Sequence, residues 1–355
     1  MTSIARRVRR TAAIAVALAA GSGLALTGTA AAGAGHPSGS AKASATGSAP
    51  INTGLYQSAY SERNHALWVT SSVGRPPVTR SALTKVDART LTVEETYTPP
   101  VTDEATGAVE AVYGVDVDDR HNTVWTTNTR DNTVSVYSQR TGKHLATLPD
   151  VNHAREIKVD ERHNLAWTSS FGDGGIVAFD TRTYKEKKRF TVEGATPAGI
   201  AVNERTGTAY ATDIAGDQII EVTAGSKSPR LIPAGDGPIS VSLSKDGRTA
   251  YTADQEGGSL SVVDLRKGAV RETVPTGEGA LSVATDPRSG NALVVNRTPG
   301  TVSVVDTRKG AVVKTLETGA NPNHIQVAGG SAWVVDKSGS GAEGQDLLHR
   351  FGLGR

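Results

Sequence analysis

The chain has 355 residues, no cysteine, and nearly balanced charge, with 38 Lys and Arg against 36 Asp and Glu for a formal +2. The absence of cysteine excludes disulfides, thiolate nucleophiles and a lipid-modified cysteine anchor. Four tryptophans, 39 glycines and 15 prolines point to a turn-rich chain with a small set of large core residues.

The first predicted element is a targeting segment at 1–32. Arg6, Arg7, Arg9 and Arg10 form a basic head, residues 11–26 are small and apolar, and Ala30, Ala31 and Ala32 supply a cleavage pattern. Residues 33–49 follow as a Gly/Ser/Ala-rich stretch, expected to be a flexible linker because it has no large apolar side chain to offset its ordering entropy. Residues 1–48 hold five positive charges and no acid, so their removal takes the formal charge from +2 to −3. The whole-chain pI near 8.7 therefore gives no ground for expecting nucleic acid as a partner. The expected location is secreted, with no membrane span left after cleavage.

From 50 to 355 one unit repeats. Its landmarks are Trp68, Trp125, Trp167, Tyr210, Tyr251, Leu293 and Trp333, separated by 57, 42, 43, 41, 42 and 40 positions. Every tryptophan of the chain falls on this position. Before each landmark runs a short alternating segment such as "YGVDVD", "REIKVD" or "AGIAVN". After it come "NTVSVYS", "GGIVAFD" or "GSLSVVD", and then a last segment such as "AVVKTLETG". These segments are rich in Val, Ile, Thr and aromatics and are bounded by Gly, Asn, Asp and Pro, which reads as antiparallel strands joined by hairpins. Four strands per unit of about 42 residues predict an all-β chain, a seven-bladed β-propeller of four-stranded antiparallel blades. The first blade carries loop-like insertions at "SVGRPPVTRS" and "TPPVTDEATG". The seventh lacks a fourth strand in its own sequence, and Pro50–Thr53 are expected to supply it and close the ring.

The unit "VSVVDTRKGAVVKTLETGANPNHIQVAGGSAWVVD" resembles the YVTN-repeat, or YncE-like, seven-bladed propeller family. The motif appears in variant form as "WVTS", "WTTN", "YATD" and "LVVN". The resemblance covers residues 51–351 and implies the fold. It says little about activity, since the family ranges from binding platforms to cell-surface proteins, and it leaves nucleic-acid binding open.

In a propeller the first strand of each blade lines a central channel. Alignment on the landmarks predicts a channel ring of Gln57, Gly114, Glu156, Gly199, Ser240, Ser282 and His324. The preceding positions form a rim that includes Tyr56, Tyr113, Arg155, Ile239, Leu281 and Asn323. Glu156 and His324 are the large ionisable members of a ring of mostly small residues, and so the candidates for general acid or base. The structural alternative has Glu156 pairing with Arg155 or solvent, and His324 capping a strand or bonding a carbonyl of a neighbouring blade. Gln57, Tyr113, Arg155, Asn323, Asn128, Arg130 and Arg297 are the candidate ligand-binding residues. Asn128 belongs to a second ring, after the landmark strands, where Asn, Asp and Ser also serve plain turn chemistry. The Asp residues that end third strands (Asp87, Asp180, Asp264 and Asp306) are expected to be structural.

No His pair stands at metal-ligand spacing, and there is no G-x-S-x-G elbow or P-loop, so no metal and no cofactor is expected. "YKEKKRF" reads as an edge strand with lysines along it rather than a nucleic-acid patch. The leading expectation is an exported, monomeric, non-catalytic binding or scaffold protein that presents its loop-rich mouth to a protein or small molecule. The alternatives are a lactonase- or lyase-type propeller, using Glu156 or His324 with a divalent metal on Asp213 or Asp254, and a nucleic-acid binder.

Overall fold

The computed structural model describes residues 41–354, with side chains from residue 43 onward. The expected targeting segment and residues 33–40 of the expected linker lie outside the described residues.

The described residues form no helix; they form seven blades of antiparallel strands, six of which run from an inner to an outer strand in chain order, while the seventh takes its outer strand from the N-terminal side of blade one. The third blade is representative, with strands Ala154–Asp160, Leu165–Ser170, Gly175–Asp180 and Lys185–Thr191. The lysine-rich segment at its edge is the outermost strand, as expected. The insertion "TPPVTDEATG" departs from the expected loop, because Val101–Asp103 pairs with Ala108–Val109 as a small hairpin.

Each landmark residue packs on the following blade, which explains why one aromatic position recurs. Trp68 lies against Val115, Val124 and Tyr137 of blade two. Trp125 lies among Ile157, Val159 and Phe179 of blade three. Trp167 meets Ile200, Ile220 and Val222 of blade four. Trp333 closes the circle on Leu55, Leu67 and Val86 of blade one. All four tryptophans are buried. A single blade would leave this face wet, and stacking neighbours buries it.

Closure uses a segment upstream of the expected one. The outer strand of blade seven is Gly47–Pro50, not Pro50–Thr53, and it runs antiparallel to Leu347–Gly352 with Gly47 opposite Arg350 and Pro50 opposite Leu347. Ala41–Ala43 adds a further strand, parallel to Ala311–Glu317, on the edge of blade six. Much of the described part of the expected linker is therefore paired. Ala43 and Ala45 pack on the core between blades six and seven, and Ala49 and Ile51 on the core between blades seven and one. The segment's ordering comes from backbone pairing and alternating alanines, a pattern that its low hydropathy conceals.

The aspartates that end third strands are structural. Asp87 accepts from the backbone N–H groups of Arg89 and Thr90, Asp180 from Arg182 and Thr183, and Asp306 from Arg308 and Lys309. Asp264 accepts from Lys267 N–H in the same way. These bonds hold the Asp87 and Asp264 carboxyls below the usual aspartate range.

Candidate binding site at the channel mouth

Inner strands crowd together at the axis. A Cβ on Gly114 would lie 2.6 Å from the Arg155 carbonyl oxygen, and one on Gly199 would lie 2.6 Å from the Ser240 Cα. Close approach of neighbouring backbones is what demands glycine here. Each inner strand is also irregular around the ring position: the register slips between Ala154 and Ile157 in blade three and between Pro322 and His324 in blade seven. Such bulges re-aim side chains, and these place rim and ring residues in the channel.

Two cavities occupy the channel, of about 490 Å³ toward the mouth and about 510 Å³ toward the base. Glu156, Ser282 and His324 line both, so they mark the waist between them.

The waist is built by hydrogen bonds from blade to blade. Glu156 Oε2 accepts from Ile200 N–H at 3.3 Å, Ser240 Oγ from Val283 N–H at 3.2 Å, and Ser282 Oγ from Ile325 N–H at 3.3 Å. His324 Nδ1 accepts from Ser58 N–H at 3.3 Å, which joins blade seven to blade one. Each side chain grips the amide just after the ring position of the next blade. A chemically trivial serine serves the same purpose as Glu156 and His324. The expected bond from His324 to a carbonyl is thus a bond from an amide. The alternative Arg155–Glu156 ion pair is not formed. Glu156 Oε1 instead accepts from Gln57 Nε2 at 2.9 Å.

Burial pushes the Glu156 carboxyl above its ordinary range, against the pull of Arg155 and Lys158. Burial, helped by Lys158, lowers the His324 imidazole to about 3. A neutral ring is what an accepting Nδ1 requires.

A second set of waist bonds escaped the sequence reading. The hydroxyl two residues after the landmark receives the ring-position N–H of its own blade and donates to the next blade. Thr127 Oγ1 accepts from Gly114 N–H at 2.8 Å and donates to the Arg155 carbonyl at 2.8 Å. Ser169 Oγ accepts from Glu156 N–H at 3.0 Å and donates to the Ala198 carbonyl at 2.6 Å. Thr70 repeats the pattern between Gln57 and Tyr113. The legible signal was Thr70, Thr127, Ser169 and Thr212 giving way to Ala253, Val295 and Val335.

The mouth differs from the waist in having donors to spare. All seven blades line it. Tyr56 and Tyr113 sit with ring centroids 4.6 Å apart. The Arg155 guanidinium lies over Tyr113 at 5.8 Å and Phe171 at 5.4 Å. Lys337 Nζ lies over the Tyr56 ring at 3.3 Å. Asn323 Nδ2 donates to the Tyr56 carbonyl at 2.7 Å, and its Oδ1 accepts from Arg297 Nη2. The Nε atoms of Arg155 and Arg297 are buried without a hydrogen-bond partner. Ile214, Ile239 and Leu281 line the same cavity. Burial lowers the Lys337 ammonium to about 8, with Arg297 adding to the shift and Asp346 opposing it.

The candidate binding residues Gln57, Tyr113, Arg155, Asn323 and Arg297 therefore meet in one cavity. Tyr56, Phe171 and Lys337 join them; Lys337 follows Asp336 of the second ring and carried no signal in sequence. Asn128 does not belong. It is buried inside blade two, where it donates to Thr133 Oγ1 and Ser135 Oγ and accepts from Thr126 Oγ1, so the turn-type role prevails. Arg130 is exposed and lies outside the cavity lining. Its charge is felt at Tyr56 and His153, which places it near the rim.

The carboxylates that a divalent metal would need are turned inward. Asp213 accepts from Thr196 N–H and Gln218 Nε2, and Asp254 from Thr252, Ser259 and Ser261. Residues so engaged do not fit a metal at the mouth. Among the described residues no group of three His, Cys, Asp or Glu is disposed around a common point. No protein-family model matches the chain, and no curated protein matches it.

Proposed function

We propose that this chain is an exported, non-catalytic binding protein that takes a small ligand into the mouth of its channel. One observation carries the reading: Arg155 and Arg297 line the mouth cavity of about 490 Å³ with no ion-pair partner among the described residues, and each keeps a buried Nε–H without a hydrogen-bond acceptor. Native proteins satisfy buried donors almost everywhere, so an exception inside an open cavity marks a place for a ligand. The base cavity offers less. Its Lys158 is paired with Asp116 at 3.3 Å, and its Arg205 donates to the Asp246 carbonyl. Export rests on the basic and apolar N-terminal sequence alone.

The catalytic reading is weaker on physical grounds. Glu156 and His324 occupy positions that serines fill in blades five and six, and their acceptors are engaged, Glu156 Oε2 and His324 Nδ1 by backbone amides and Glu156 Oε1 by the Gln57 side chain. A general base needs a free acceptor at the proton it removes.

A thermal-shift screen of chemically diverse small molecules tests the proposal, with the wild type beside a mouth-filled Leu281→Trp variant. Compounds should raise the melting temperature of the wild type and leave the variant unmoved. Hits that stabilise both equally, or substrate turnover abolished by Glu156→Gln, would overturn it.

A further inference from the structure

We infer that the mouth's ligand is an amphipathic organic oxyanion with at least two negative charges, its acidic groups held by Arg155, Arg297 and Lys337 and its apolar body against Ile214, Ile239 and Leu281. This rests on the reading of the mouth as a binding site and adds the chemistry of what binds.

Three cations line the cavity, and Glu156 at its floor is the one carboxylate among the lining residues. Both Glu156 oxygens already accept, from Gln57 and from Ile200. Asp346, the acid felt at Lys337, is also committed. Its Oδ2 accepts from Gly54 and Leu55 N–H and its Oδ1 from Gly339 N–H. Among the described residues, Arg155, Arg297 and Lys337 have no ion-pair partner, whereas Lys85 on a third strand and Arg189 and Arg230 on outer strands each have a glutamate. Like charges held together in a partly dry cavity repel, and water screens them poorly there. An anion placed among them offsets that repulsion, and each further negative charge adds attraction to all three cations, so a multiply charged group matches the site better than a monoanion.

The donors set the chemistry. Guanidinium N–H groups match the spacing of carboxylate and phosphate oxygens, and Arg155 and Arg297 each leave Nε–H free. Asn323 fixes Arg297 through Nη2, while Tyr113 and Phe171 fix the plane of Arg155. Preorganised donors bind with less ordering cost. The apolar residues come from blades four to six and the cations from blades three, six and seven, so an apolar arc is flanked by cations and suits a ligand that carries both kinds of surface.

Calorimetric titration of the full chain with phenyl phosphate and with phthalate tests this. Benzamide and benzamidine are the neutral and cationic controls. The expected result is binding of one or both dianions, weakened by salt, with Arg155→Met and Arg297→Met each costing at least about tenfold. The phosphate and dicarboxylate arms tell which oxyanion the site prefers. Acylation of Lys337 read by mass spectrometry needs no variant: a bound dianion should move its midpoint upward from about 8. If benzamide or benzamidine binds as well as the dianions and is blocked by Leu281→Trp, the anion inference fails and the mouth reading stands. If no probe binds and the Lys337 midpoint stays put, the oxyanion inference is overturned, and the screen with Leu281→Trp then decides the mouth reading separately.

Discussion

Gln57 of blade one donates its amide N–H to Glu156 Oε1 of blade three at 2.9 Å, past blade two, whose ring position is Gly114. The glycine leaves the space that lets two non-adjacent blades touch, and the bond closes the waist on one side. Glu156→Gln keeps an acceptor for Ile200 N–H, and Gln57 can turn its carbonyl toward the new amide. It should cost less than about 1 kcal/mol, while Glu156→Ala strands the Ile200 amide and should cost about 1–3 kcal/mol. Urea melts of the two variants check this, and equal losses would contradict it.

Acid should loosen the seam between blades seven and one. His324 is depressed from 6.5 to about 3 because it is buried and neutral. Unfolded chains bind a proton at this residue near pH 6.5 and the folded chain does not, so its contribution is full above 6.5 and is lost as pH falls toward 3. His324→Gln retains an acceptor for Ser58 N–H and removes the titration. Melts taken across this window should show a shallower pH dependence in the variant; an unchanged slope would contradict the assignment.

Trp167 separates packing from hydrogen bonding. Its ring is fully buried between blades three and four, yet its Nε1 has no partner. Trp68, Trp125 and Trp333 all donate, to Gln139, Thr123 and the Ala88 carbonyl. Trp167→Ala should cost about 3–5 kcal/mol through the cavity it leaves. Trp167→Phe sheds an unsatisfied donor and should cost well under half of that, whereas Trp333→Phe also strands a carbonyl and should cost more. Denaturant midpoints of the three variants rank them.

The N-terminal strands make the ring's seam. A chain beginning at residue 41 retains both, and one beginning at residue 52 loses both and exposes the edges of blades six and seven. The shorter chain should melt lower and associate, since open strand edges pair with other chains. Scanning calorimetry and light scattering compare them; identical behaviour would contradict closure by Gly47–Pro50.

The repeat was legible because a propeller writes its core at one position per blade, and Trp68, Trp125, Trp167 and Trp333 all fall there. The same alignment located the ring and rim, so Arg155, Asn323 and Arg297 could be brought to one mouth from sequence. Roles were not legible. Whether Glu156 serves chemistry or architecture depends on which atom faces it, and Ile200 N–H lies 44 positions away. Asn128 looked like a mouth residue because strand-end polarity is written identically whether it serves a turn or a ligand. The closing strand was hidden because alanines alternating with serine and threonine have the composition of a tether.

The most direct test of the mouth as the working site is a crystal structure of the chain grown with phenyl phosphate. Ordered phosphate oxygens are expected within hydrogen-bond distance of the Arg155 and Arg297 guanidinium groups, with the phenyl ring on Leu281 and Ile239 and the waist unchanged at Gln57 and Glu156. Phosphate bound elsewhere with only solvent between the two arginines, or a ligand seated at Glu156 and His324 with their backbone amides released, would contradict it.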